Sequence, residues 1–338
     1  MYRKNKERMS VLKPILSTKN AHPRDSNLVF DEPTHVYTIL TDPGYKYTSV
    51  TKWNHSHFPH FDADQVIRFM MSGKNWNPDN KYWGLTAKEI KDQWSQNGAA
   101  VSGAGTDLHF DIECFMNQEL QVSLDYTHET LAENYKTLHP ESPNKSDEWN
   151  YFLKYAQENP QFKPYRTEWM IYDEELKLAG SIDMVYENPD GTLSIYDWKR
   201  AKEIIQTNNF GKTATTKCVK HLPDTNYWHY SLQLNTYKAI LEKQYGKKVT
   251  DLYLVRLHPN NAQQTYDLIK CADLSKEISE LFDLKRKQMY PEPKITVPSN
   301  QETTETTEQE KTEQKQKQKI TNQSSMLSFF KKSYQKTK

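Results

Sequence analysis

Between residues 28 and 290 the chain switches repeatedly between two hydrophobic periods, and their order predicts a mixed α/β domain. "HVYTIL" and "YKYTSVT" read as a strand pair bridged by the turn signal "TDPG". Residues 60–100 carry helix-like stretches that include Trp83 and Trp94, broken by "NWNPDN" with Trp76. In "SGAGTDLHFDIECFMN" glycines precede a candidate N-cap, Thr106, and Leu108, Ile112 and Phe115 recur at helical spacing. "SDEWNYFLKYAQEN" is a second amphipathic helix, stopped at Asn159-Pro160. The period then falls to two. "YRTEWMIYD", "LKLAGSIDMVYE" and "TLSIYDWKR" read as three strands, the last two joined by "NPDG". A polar segment of about 28 residues follows, a length that in a compact domain marks function or mobility. "HYSLQLNTYKAILEKQYG" predicts a helix ending at Gly246. "VTDLYLVRLHP" and "QQTYDLIK" predict strands, and "DLSKEISELFDLKRKQM" a closing helix.

Both ends break this pattern. Residues 1–27 read as a basic, poorly ordered arm. Residues 291–322 are rich in Gln, Thr, Glu and Lys and too poor in apolar residues to bury a core, so they read as a disordered linker. Hydrophobic residues return in the tail, 323–338.

Composition narrows the function classes. Forty-five basic residues against 44 acidic leave the net charge near zero, so any basic surface for nucleic acid must be local. No apolar run approaches the roughly 20 residues that span a bilayer, and the N-terminus lacks an apolar signal core. Cys114, Cys218 and Cys271 are scattered and odd in number. They point to a reducing compartment, the cytosol or nucleus, and against a disulfide framework or a four-cysteine metal site.

The candidate chemistry lies in "GSIDMVYENPDGTLSIYDWKR", residues 180–200. Asp197 and Lys199 are two apart on a strand and share a face. The "NPDG" turn folds Asp183 to within a residue or two of Asp197. Two bare carboxylates so close repel, and a hard divalent cation between them removes that cost. With a lysine beside them, they are suited to phosphodiester hydrolysis. A surface salt bridge is the plain alternative for so short a triplet. Three further features weigh against it. Glu168 lies on the preceding strand. His109 and Glu113 stand at i and i+4 on a helix. Gln233 and Tyr237 stand at i and i+4 on the helix after the third strand.

The order His109…Glu168…Gly180-x-x-Asp183…Asp197-x-Lys199…Gln233-x-x-x-Tyr237, over roughly residues 100–257, resembles the PD-(D/E)XK nuclease superfamily. More narrowly it is similar to the RecB-like branch that holds the mitochondrial genome maintenance exonuclease. The resemblance implies an αβββαβ core, a mixed central sheet flanked by helices, across a nuclease domain of residues 28–290. It implies one or two Mg²⁺ or Mn²⁺ ions on Asp183, Asp197, His109 and the backbone carbonyl of Trp198. Lys199 would be the catalytic lysine, Glu168 a less uniform acidic position and Glu113 a weaker match. Gln233 and Tyr237 would contact the DNA backbone and order the site. Relatives with an iron–sulfur cluster use four cysteines, so this chain is expected to carry none. Lys212, Lys217, Lys220 and His221 face either a phosphate backbone or plain solvent. Phe210, Tyr227 and Trp228 serve either base stacking or packing, with packing the commoner role.

The tail "QSSMLSFF" resembles the PIP box, the peptide that docks on the sliding clamp PCNA, through Gln323, Met326, Phe329 and Phe330. Together these readings imply an exonuclease on DNA ends or single strands. It would be tethered to a clamp and act in replication, repair or recombination, in a nucleus or another site of DNA replication, viral ones included. A structure-selective or sequence-specific endonuclease on the same fold, or a non-catalytic clamp adaptor, are the competing readings. The part played by residues 28–100 stays open, as a wall of the DNA channel or a lid.

Overall fold

The computed structural model of the protein describes residues 14–291, apart from 123–124 and 209–210. The expectations for residues 1–13, for Phe210, for the linker from residue 292 and for the tail lie outside the described residues.

Helix α1 (Ile15–Lys19) is followed by the hairpin β1 (Leu28–Asp31) and β2 (Val36–Ile39), a short β3 (Thr48–Ser49) and helix α2 (Val50–His55). Helices α3 (Ala63–Ser72), α4 (Ala87–Met116), α5 (His128–Leu138) and α6 (Asp147–Glu158) come next. The strands β4 (Lys163–Asp173), β5 (Leu178–Glu187) and β6 (Leu193–Lys199) lead to α7 (Asn226–Gln244), β7 (Val249–Arg256), β8 (Asp267–Lys270) and α8 (Ser275–Met289). The αβββαβ core is therefore present, with two extra helices between its first helix and first strand.

The central sheet is mixed. β4 and β6 flank β5 antiparallel, β7 joins β6 parallel and β8 closes the row antiparallel. Alternation along the strands supplies two apolar faces, as burial on both sides of a sheet requires. On one side Ile171, Val185, Ile195 and Leu254 pack with Val50 of α2, Leu234, Ile240 and Leu241 of α7 and Phe282 of α8. On the other, Met184, Tyr186, Tyr196, Trp198 and Val255 pack with Leu108, Ile112 and Phe115 of α4 and with Trp149, Phe152 and Tyr155 of α6.

One edge of β5 is shared in a way that makes the site. β4 pairs along Leu178–Glu187 on one side. On the opposite side β6 pairs only over Met184–Glu187, and β3 pairs parallel with Leu178 and Ala179. Residues 180–183 lie between, where β5 and β6 have parted. The turn behind this fork is tight: Gly191 has φ +78°, and Asp190 Oδ1 accepts the Thr192 N–H at 3.0 Å.

Several expectations need correction. "HVYTIL" does not pair with "YKYTSVT": β2 pairs antiparallel with β1, Leu28 opposite Ile39, around a turn in which Asp31 accepts the Thr34 N–H at 3.3 Å. "YKYTSVT" gives two residues of parallel strand and then turns helical at Val50, capped by Ser49. Thr106 is no N-cap. α4 starts twenty residues earlier at a capping box of Thr86 and Glu89 and runs on through Gly98 and Gly105, while the Thr106 hydroxyl donates to the Ser102 carbonyl at 3.1 Å. The arm is ordered from Pro14: Leu16 is buried, its N–H donates to Asn117 Oδ1 at 3.0 Å, and Asp25 holds Arg166 at 2.8 Å and the Trp169 indole at 3.0 Å.

α5 covers a polar group. His128 is fully buried among Tyr155, Phe162 and Tyr186, and neither ring nitrogen is satisfied by a well-formed hydrogen bond. Burial pushes its pKa down from 6.5 to about 3. Between those values the unfolded chain binds a proton that the folded chain refuses, so stability falls as pH drops below 6.5, by about 1.4 kcal/mol per unit. His128→Phe removes that slope and an unsatisfied polar group together. We expect it to raise the urea midpoint at neutral pH by about 1–2 kcal/mol of stability and to widen that gap at acid pH. A gap that does not grow on acidification would contradict the assignment.

Candidate active site

The fork between β5 and β6 holds the sequence-predicted carboxylates. Continuing the β5–β6 register by one step sets Asp183 opposite Asp197, but the backbone pairing has already ended at Met184–Tyr196. Instead the Asp183 carboxylate bridges the gap and accepts the Trp198 N–H at 3.0 Å. Asp197 points to the same layer, almost wholly buried, with its Oδ2 2.5 Å from Lys199 Nζ. The Lys199 ammonium lies 4.5 Å from the centre of the Tyr230 ring on α7. Tyr230 is a member of the site that the sequence did not single out. Its signal was available, one helical period before Gln233 and two before Tyr237.

α4 brings His109 to the fork. Its Nε2 lies 3.0 Å from the Trp198 carbonyl, an atom that can only accept, so Nε2 carries a proton. Nδ1 faces Asp183 at 3.5 Å and Glu168 at 3.8 Å. Glu168 comes from β4 at φ +42°, a left-handed conformation rare for a side-chain-bearing residue and costing of order 1–3 kcal/mol. The kink interrupts the β4–β5 ladder between Thr167 and Trp169, and Ser181 Oγ steadies the carboxylate at 3.0 Å. Ligand atoms of His109, Glu168 and Asp183 all lie within 4.8 Å of one another. Glu113, one turn along α4 from His109, is also drawn in. Burial and then the charge of Glu168 push it up to about 7.

The electrostatics follow from this crowding. Burial, with the Asp183 charge second, pushes Asp197 up to about 6, against the pull of Lys199. Burial also raises Asp183, opposed by His109. Burial alone would lower His109, but Asp183 and Glu168 outweigh it and hold it at about 9. Lys199 is likewise raised, burial being overcome by Asp197 and Asp183. The site thus gathers more buried acid than its two cations neutralise. A hard divalent cation suits this oxygen-rich set with one imidazole.

Tyr237 is buried, with its ring against Gly180 in the gap of β5. Its hydroxyl accepts from Gln233 Nε2 at 3.0 Å, and the Gln233 amide also reaches Thr51 Oγ1 at 3.2 Å. Gln233 is the member of the pair open to a ligand, while Tyr237 forms the wall. Lys212, Lys217 and Lys220 are exposed, and their segment is anchored just past the end of α2, where Thr215 N–H donates to the His57 carbonyl at 2.7 Å. Besides the Asp183 charge on Asp197, the charges acting on this pair come instead from His109 and Lys199, with Glu168 acting on Asp183. His221 faces Glu277 of α8 at 3.3 Å. Tyr227 and Trp228 are packing residues: Tyr227 is buried, and the Trp228 indole donates to the Gln206 carbonyl at 2.8 Å. The Trp198 carbonyl, expected at a cation, is engaged by His109.

A family model described as the PD-(D/E)XK nuclease superfamily matches residues 128–329, more than half of the chain. The chain belongs to the PD-(D/E)XK nuclease superfamily. The match takes in β4 to β8 and α7, and with them Glu168, Asp183, Asp197, Lys199, Gln233 and Tyr237; the helix of His109 precedes it. No curated protein matches the chain. Nucleases of this superfamily use divalent metal ions, which accords with the acidic group at the fork. Among the described residues, no helix is long and apolar enough to cross a membrane.

Proposed function

We propose that the protein is a Mg²⁺- or Mn²⁺-dependent deoxyribonuclease of the RecB-like branch that works from DNA ends or on single strands. The observation that carries the nuclease part of this reading is the juxtaposition of Asp183 with the Asp197–Lys199 pair across the parted strands; the preference for ends or single strands rests on the motif resemblance alone. Asp183, Asp197, Glu168 and His109 Nδ1 would hold the cation. His109 gives up its Nδ1 proton to do so, and its Nε2–H stays on the Trp198 carbonyl, which fixes the ring. A bound cation supplies Lewis acidity, polarising a phosphodiester oxygen and acidifying the attacking water. Lys199 is held by Asp197 and by the Tyr230 ring, so its ammonium presents a fixed positive charge to the phosphate or to that water. Gln233 presents its amide to the phosphate backbone, and Tyr237 keeps Gln233 in place.

The test is cleavage of matched linear and covalently closed circular DNA, single- and double-stranded, with Mg²⁺ or Mn²⁺. Degradation of the linear forms alone supports the reading. Cutting of circles converts it to an endonuclease. Absence of any cation-dependent cleavage turns it into a non-catalytic module.

The tail is proposed to dock on a sliding clamp through Gln323, Met326, Phe329 and Phe330, tethering the nuclease to replicating or repaired DNA in the nucleus or another replication site. Phe329→Ala combined with Phe330→Ala is expected to abolish capture of the full chain by immobilised PCNA. Retained capture would place the contact elsewhere.

A further inference from the structure

The face of α7 that carries Tyr237 and Gln233 continues one turn earlier to His229. α2 lies across it, and the two helices meet in matched pairs. Thr51 takes the Gln233 amide at 3.2 Å. One turn on, the rings of His55 and His229 are 5.2 Å apart, centre to centre. His229 is held from behind, with Nε2 2.9 Å from Asp224 Oδ1 and its ring 4.0 Å from that of Phe58. The Asp224 N–H in turn donates to the Lys212 carbonyl at 2.9 Å. The result is a polar strip. It starts at Tyr237 beside the carboxylates, passes Gln233 and Thr51, then His229 and His55, and ends at Lys212. Thr51, His55 and Lys212 are exposed, and no carboxylate pairs with Lys212 among the described residues. A helix seam needs neither two facing imidazoles, one exposed and one half-buried, nor a carboxylate behind one of them.

We propose that this strip carries the phosphodiester backbone of the nucleic acid away from the fork, with His229 and His55 holding the phosphate beside the one that is cut. The proposal rests on the phosphodiesterase reading of the fork. It assigns binding residues outside the set found by motif. Asp224 takes the Nε2–H of His229, so the ring meets a phosphate oxygen through Nδ1 and takes up a proton as it does. Burial is the largest influence on both rings; Asp224 favours a proton on either, while His55 opposes one on His229 and Lys199 opposes one on His55. Both are therefore held below the ordinary imidazole range, so the charge arrives with the phosphate.

The experiment titrates a fluorescein-labelled oligothymidylate into the full-length protein without divalent ions, by anisotropy, at several salt concentrations and on both sides of about pH 6.5. The variants are His55→Ala, at an exposed position, and His229→Gln. Each is expected to raise Kd about tenfold at the acid pH and to flatten the log–log salt dependence by about 0.7. The native protein's tighter binding on acidification is expected to vanish in the double variant. Unchanged Kd and salt dependence in His55→Ala, with native melting, would overturn the proposal. Since no cleavage is read, an Asp197→Asn protein that still cut DNA would sink the active-site reading and leave this result standing.

Discussion

Asp197→Asn is expected to lower cation-dependent cleavage by at least about a thousandfold, with the chain still folded. Asparagine keeps the volume of a side chain that is almost wholly buried, so packing against α7 changes little. Two losses follow from the missing charge. On the proposed reading the cation loses an oxygen ligand, and its affinity should fall by more than the roughly ten- to hundredfold typical for an outer partner of a ligand. Lys199 loses its nearest counter-charge and the 2.5 Å contact that orients it. The effects on folding oppose each other. Relief of repulsion with Asp183 stabilises, while a buried ammonium parted from its partner costs up to about 3–5 kcal/mol. Asp183 still acts on Lys199, so the net loss should be well below that limit. Single-turnover cleavage, Mn²⁺ calorimetry and urea unfolding on the same preparation separate the three. Cleavage within tenfold of the parent would remove Asp197 from the site.

Gly180→Ala should damage the site without touching a charged residue. A Cβ at Gly180 would stand 2.8 Å from Tyr237 Cε1 and 3.0 Å from its Oη. Tyr237 is buried on a helix packed against the sheet, so its ring can make room only by displacing its neighbours. Overpacking of this kind costs about 1–3 kcal/mol. Displacement of Tyr237 also releases Gln233, which is bonded to its hydroxyl. If Gln233 binds the phosphate backbone as proposed, misplacing it is expected to lower cleavage by about a hundredfold. Replacing Tyr237 by Leu in the same chain should make the pair less harmful than the sum of the singles, by about 1 kcal/mol or more. Additive losses, or a Gly180→Ala protein as stable as its parent, would show that the contact is not tight.

The second half of the domain was the more legible. β4, β5, β6, α7, β7 and α8 each fall within a few residues of the stretches marked by periodicity, because each buries one regular face in a common core. The hairpin turn at Asn188–Gly191 carries its own chemistry, so the near-opposition of Asp183 and Asp197 followed from counting residues. The first half misled for the opposite reason. "HVYTIL" offers the same alternation to either neighbour, and only the packing of Leu28 and Ile39 against the sheet settles its partner. The glycines before Thr106 read as a helix start, yet α4 passes through them because its capping box lies twenty residues upstream.

By itself the sequence determined which side chains were available and their order: two aspartates flanking a turn, a lysine two residues on, and a histidine and a Gln–Tyr pair on helices before and after. Local rules suffice for that, since turn type and strand alternation act over a few residues. Only the tertiary structure decided that β6 leaves β5 after Met184 while β3 takes up the far end of the same edge. That parting lets the Asp183 carboxylate, rather than a backbone carbonyl, receive the Trp198 N–H, and it admits His109 from one side and Tyr237 from the other. Where two strands separate is set by what packs on both faces of the sheet, a sum over residues far apart in the chain. No window of sequence contains it.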